Sequence, residues 1–249
     1  MAQFSFVGIA FAEVLYFEQV KQYSILSLGI RLLALTGTYV ITSAVASRVV
    51  LWVGFKAVIT GGLLLLSGGG FMLLAQSPST SPMAVSVILV LCAVGAGFVL
   101  PSATAAAVIS VEDHQGGMAS GAVNMSRQVG SALGAAILGT VLTSGLAAYL
   151  PTALTSRGVR APTAVKIAAA ATGGGSRGSV PASLRQTADS AVGSAFATAM
   201  QHAVLIPSVL ALVMAIITAA FLRARPVNAG ESAASPAEPV AEAETDLAP

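Results

Sequence analysis

Hydrophobic positions in this chain come in long unbroken runs, not in alternation. The clearest pair lies at 83–146. Residues 83–111 carry no charged side chain, the polar turn VEDHQGG follows at 111–117, and the next apolar run carries only Arg127. At ~1.5 Å per helical residue, runs of this kind cross a hydrocarbon core of ~30 Å. Both are rich in Gly, Ala and Ser, the small residues that let membrane helices approach closely. They predict a hairpin of two packed membrane helices. Continuous apolar runs favour helices over a barrel, whose strands would alternate.

The same pattern along the whole chain predicts an all-α membrane protein of six transmembrane helices, at about 1–20, 24–46, 56–75, 83–107, 118–147 and 203–222. The breaks between them are polar. FEQVKQYS separates the first two, a stretch around Gly54 flanked by Arg48 and Lys56 the next two, and SPSTSP the next. The Gly68-Gly69-Gly70 run marks close packing or a bend. A basic extracytoplasmic loop is expected at about 149–193, with Arg157, Arg160, Lys166, Arg177 and Arg185 against Asp189. Within it GGGSRGS reads as a flexible linker, and 182–200 as an Ala-rich surface helix leading into the last span. Arg223, Arg225 and Pro226 end that span, so 1–222 forms the membrane domain and 223–249 a disordered cytoplasmic tail.

Composition narrows the function. The chain is 55% hydrophobic and 9% charged, with mean hydropathy +0.85, where soluble domains are about 25% charged. That leaves too little polar surface for a soluble protein and makes the lipid bilayer its first partner. The net charge of +2 comes from scattered basic residues, which form no nucleic-acid patch. The single cysteine, Cys92, reads as a small packing residue. The first apolar run has no basic leader and no cleavage site, so a signal peptide is not expected. No phosphate loop, metal-ligand spacing or hydrolase triad is visible. His114 reads as a solvated turn residue and His202 as an interfacial one, so neither an enzyme nor a cofactor is expected.

A family resemblance lies in the central hairpin. Gly95-x-Gly97-x-x-x-Pro101, the acidic turn, then Gly117-Met118-Ala119-Ser120-Gly121-x-x-Asn124-x-x-Arg127-Gln128-x-Gly130-x-x-x-Gly134 resembles the penultimate hairpin of major facilitator superfamily transporters, in their fourteen-helix drug/proton antiporter branch. The turn with Leu15, Tyr16, Phe17, Gln19, Val20, Tyr23, Ser24 and Leu26, and the stretch Gly29-x-Arg31-Leu32-Leu33, fit the same pattern. The order of motifs resembles the C-terminal half of such a transporter and covers nearly the whole chain before the tail. The resemblance implies one half of a major facilitator fold with nested three-plus-three inverted repeats. It implies efflux of a small-molecule substrate in exchange for protons by alternating access, with a missing N-terminal half or another copy as partner. The alternative is a six-helix membrane protein with no transport role, or the relic of a truncated gene.

Candidate residues follow. Glu13 sits inside the first span, where a carboxylate costs ~2.5–3.5 kcal/mol and so faces a cavity or a partner. It is either a proton carrier or a hydrated interfacial residue. Arg31 can snorkel to head groups. Arg48 and Lys56 either belong to a gating network, as the resembling loop of the superfamily implies, or anchor the interface with Trp52. Arg127 with Asn124 and Gln128 either closes the cytoplasmic side against Glu112 and Asp113, or is a snorkelling Arg with polar neighbours. Gly95, Gly97, Pro101, Gly121, Gly130 and Gly134 are expected to serve helix packing and bending. Arg48, Lys56, Arg223 and Arg225 fall on one side, which the positive-inside rule makes the cytoplasm. Both termini are then cytoplasmic in a plasma-membrane protein, with Lys21 and the 149–193 loop on the far side.

Overall fold

The computed structural model describes residues 1–21, 23–77, 79–172 and 185–222. Its helices are α1 (Ala2–Gln19), α2 (Ile25–Leu73), α3 (Pro82–Val108), α4 (Gly116–Thr155), α5 (Ala161–Thr172) and α6 (Arg185–Phe221). No strand occurs among the described residues. The starts follow capping chemistry. Ser24 and Ser81 accept hydrogen bonds from the backbone N–H of Ser27 and Ala84, each at 3.3 Å, and Pro82 opens α3 where its missing N–H costs nothing.

The stretch 47–53, expected as part of a loop, is helical, and Gly54 alone breaks α2, at φ 80° and ψ 162°. Only a residue without Cβ holds that backbone cheaply. The break reverses the chain. A Cβ at Gly97 of α3 would meet Thr42 Cβ at 2.8 Å, and one at Gly95 would meet the Gly62 carbonyl oxygen at 2.6 Å. In a straight helix residues 42 and 62 would stand ~30 Å apart, yet both lie against one turn of α3. α2 is therefore two arms, 25–53 and 55–73, folded back at Gly54.

Six rods result: α1, the two arms, α3, α4 and α6. By length and apolarity α2, α3, α4 and α6 can each cross a membrane. α1 is shorter, and Gln3, Glu13, Glu18 and Gln19 dilute its apolar run. It runs parallel to α4, since Gly134 lies against Phe4 and Gly8 while Gly139 lies against Phe11. It runs antiparallel to α6, with Ser5 bonded to Pro207 and Tyr16 packed on Phe196. α3 packs along α2, with Gly62 facing Gly95 and Gly69 facing Cys92. Rod one thus packs on rods five and six, and rod four on rods two and three. Exchanging the first three rods for the last three maps one set of contacts onto the other, as an inverted three-plus-three repeat requires.

Two expectations for the end of the membrane domain change. The 149–193 region is partly helical, because α4 runs on to Thr155 and α5 covers Ala161–Thr172. The Ala-rich segment is no surface helix either. α6 starts at Arg185, and Ala191, Ala195, Ala199 and Ala203 are buried in the core with the stripe Leu138, Leu142, Leu146, Leu150 and Leu154 of α4. Large side chains on one helix and small ones on the other, both four residues apart, interlock as ridges in grooves. The GGGSRGS linker and the 223–249 tail lie outside the described residues.

Candidate functional site

Glu13 lies on α1, 1% exposed, where the helix end meets the turn that follows α2. Gln76 of that turn, 5% exposed, donates from Nε2 to Glu13 Oε2 at 3.4 Å. Two further bonds fix the same junction. Tyr16 Oη donates to the Ser77 carbonyl at 3.0 Å, and Lys21 Nζ donates to the Thr80 carbonyl at 3.0 Å. Beside the carboxyl is a cavity of about 20 Å³ with walls of Leu28, Leu32 and Leu35 from the first arm, Leu89 and Ser86 from α3, and Phe17. That is room for about one water, far below the ~300 Å³ of a small-molecule pocket.

The remaining candidates do not gather at this place. Glu112 and His114 pair at 3.4 Å in the exposed turn between α3 and α4. Arg127 is half-buried about three turns into α4, beside exposed Asn124 and Gln128. Among the described residues it pairs with no acid, so the expected contact with Glu112 is not formed. Asp113 and Arg31 have backbones on this path, but their side chains lie outside the described part. Arg48 is exposed near the end of the first arm, and Lys56 is half-buried just past the fold-back.

Of the small residues, Gly95, Gly97 and Gly134 sit where a Cβ would strike a neighbouring helix at 2.6, 2.8 and 2.6 Å, while Gly130 has ordinary contacts from 3.4 Å. Gly121 faces open space, so it packs no helix of this bundle. Pro101 lies inside α3. The sequence did not single out Gln76, Ser5, Ser67 or Ser208. Ser67 donates to the Ser208 carbonyl at 2.9 Å and Ser5 to the Pro207 carbonyl at 2.9 Å, joining three rods through buried polar bonds. The pattern that marks such residues is a lone hydroxyl in an otherwise apolar run.

Six rods in two mutually exchangeable triples, with one buried carboxyl among the described residues, define a multi-pass helical membrane protein. The profile of the Major Facilitator Superfamily matches residues 1–135, and the chain belongs to that family of transporters. It is 31% identical over 154 residues to the puromycin resistance protein pur8 of Streptomyces alboniger, covering 60% of this chain and 31% of that protein. It is 31% identical over 147 residues to the multidrug resistance protein Stp of Mycobacterium tuberculosis, covering 59% and 27%. With the tetracenomycin C resistance and export protein of Streptomyces glaucescens it shares 26% identity over 228 residues, covering 90% and 42%. The chain thus spans less than half the length of each of these relatives.

Proposed function

We propose that this chain is the C-terminal half of a proton-coupled exporter of small molecules that works by alternating access. The observation that carries this reading is the family match over 1–135, together with relatives named for antibiotic resistance and export. The exchangeable triples of rods fit one rocking half. Exposed apolar residues on the first arm and along the start of α4, among them Ile30, Leu33, Val40, Ile41, Met118 and Met125, supply a surface for lipid and for a second half or another copy. The water-sized cavity supports the same division, because a substrate site would then form between halves.

In this reading the plasma membrane holds residues 1–222 as six spans, with both termini and the Gly54 fold-back in the cytoplasm beside Arg48 and Lys56. The 223–249 tail is cytoplasmic. Glu13 carries the exchanged proton, and Arg31 anchors at the head groups. Arg127, with Asn124 and Gln128, closes the cytoplasmic side against Glu112 and Asp113 in another transport state than this one. The test is substrate movement from proteoliposomes under an imposed pH gradient, using this chain joined to or mixed with a complementary six-helix half. Gradient-dependent efflux of a puromycin-like or other lipophilic cation is expected. No gradient-dependent movement across tested compound classes would favour a non-transporting six-helix protein.

A further inference from the structure

Two side-chain oxygens at the α1 junction, Glu13 Oε1 and Gln76 Oε1, are buried and have no hydrogen-bond partner. Both belong to groups whose other oxygen or nitrogen is already joined, Gln76 Nε2 to Glu13 Oε2 at 3.4 Å. An ionised carboxylate and an amide oxygen can only accept, so with Glu13 ionised neither orphan can satisfy the other. A single hydrogen on Glu13 Oε1 changes that. The carboxyl becomes a donor to Gln76 Oε1 while Gln76 Nε2 still donates to Glu13 Oε2. The pair then closes as a carboxylic acid–amide ring with both orphans satisfied. We propose that Glu13 and Gln76 form a one-proton site, in which this state holds the carboxyl protonated and Gln76 is the residue that binds the proton from the other side.

The surroundings favour a proton over the other occupants. Among the described residues Glu13 is in no ion pair, and it is the one ionisable side chain on the cavity wall. On its own helix Tyr16 donates its hydroxyl to Ser77 and also lies against the Gln76 side chain. Past the helix end Lys21 donates to Thr80. From α3 the buried thiol Cys92 stands within electrostatic reach, and the first arm presents only apolar residues, three leucines and Ala34, to the cavity. From α6 the neighbour at Tyr16 is the apolar ring of Phe196. A hard metal cation takes about six oxygens, more than this pair offers. A single water donating to both orphans would fit the space, but it would leave a buried carboxylate without a cation, an unfavourable state.

Release of the proton replaces the two-bond ring by one bond and loosens Gln76 from α1. The turn at 76–80 joins the second arm to α3, so the site ties proton occupancy to the seating of a helix pair. Its use in transport rests on the exporter reading; its existence does not.

The test is infrared spectroscopy of the full chain in lipid at pH 7, where exposed carboxyls are ionised. A protonated-carboxyl stretch is expected. It should vanish in Glu13→Gln and move to the frequency of a less hydrogen-bonded acid in Gln76→Leu. Glu13→Gln should keep the fold, since two amides close the same ring. Should Gln76→Leu not fold, Gln76→Asn, whose amide stops one methylene short, should give the same upward shift. Absence of the band at pH 7, its persistence in Glu13→Gln, or its indifference to both Gln76 variants would overturn the proposal, the first pointing to the bridging water. No substrate or gradient is involved, so failure here is separate from failure of export.

Discussion

The hydroxyl of Ser5 donates to the carbonyl oxygen of Pro207 at 2.9 Å, 202 positions away in sequence. One residue on, the Ser208 carbonyl takes the hydroxyl of Ser67 at 2.9 Å. α1, the second arm of α2 and α6 are thus joined at adjacent peptides. Interhelical bonds of this kind average about 0.6 kcal/mol and reach about 1.7 kcal/mol. Ser5→Ala and Ser67→Ala should each lower stability within that range in thermal unfolding in lipid or detergent. The double variant should depart from additivity, because the two acceptors are neighbours on one helix.

Close helix approach makes a sharper contrast. At Gly95 an added methyl would meet backbone atoms, the Gly62 carbonyl oxygen at 2.6 Å and the Leu66 nitrogen at 2.7 Å, and backbone cannot swing aside. Gly95→Ala should cost about 1–3 kcal/mol by overpacking. Gly121→Ala meets nothing within 4 Å and should leave the unfolding temperature of this chain unchanged or slightly raised.

Gly54→Ala places a Cβ at φ 80°. Strain of about 1–3 kcal/mol is expected, with the two arms of α2 splayed. Unfolding measurements should show the loss, and Gly61→Ala, in open helix, should not.

The pair Glu112–His114 lies at 3.4 Å with side chains 78% and 72% exposed. Exposed pairs contribute almost nothing. Glu112→Gln should therefore leave the unfolding temperature of the chain unchanged, and any effect on efflux would have to come from gating.

The rods were legible because apolar runs broken by polar turns admit little else in a membrane. Their joints were less so. A loop was expected around Arg48 and Lys56, yet one glycine performs the reversal without a polar loop, and no periodicity signals a single residue of positive φ. The segment 182–200 reads as surface in the sequence because its alanines are weakly apolar. Their value lies in being small enough to admit the leucines of α4. Glu13 stood out as a charge in a span, but Gln76, 63 positions on and in a turn, had nothing to announce it as the partner. The polar patch around Arg127 leaves a contact with Glu112 and a snorkelling Arg both open in the sequence; Arg127 sits about three turns into α4, and among the described residues no such contact forms.

The claim on which the rest depends is that six rods cross the bilayer with the reversal at Gly54 on the same side as the α3–α4 turn. Single cysteines at Trp52, Ser79, His114 and Arg160, all exposed positions, with the buried Cys92 left in place, can be probed by a membrane-impermeant thiol reagent in intact and opened vesicles. Positions 52 and 114 should label from one side, and 79 and 160 from the other. Labelling of 52 and 79 from the same side, or of all four from one side, would contradict the six-rod architecture.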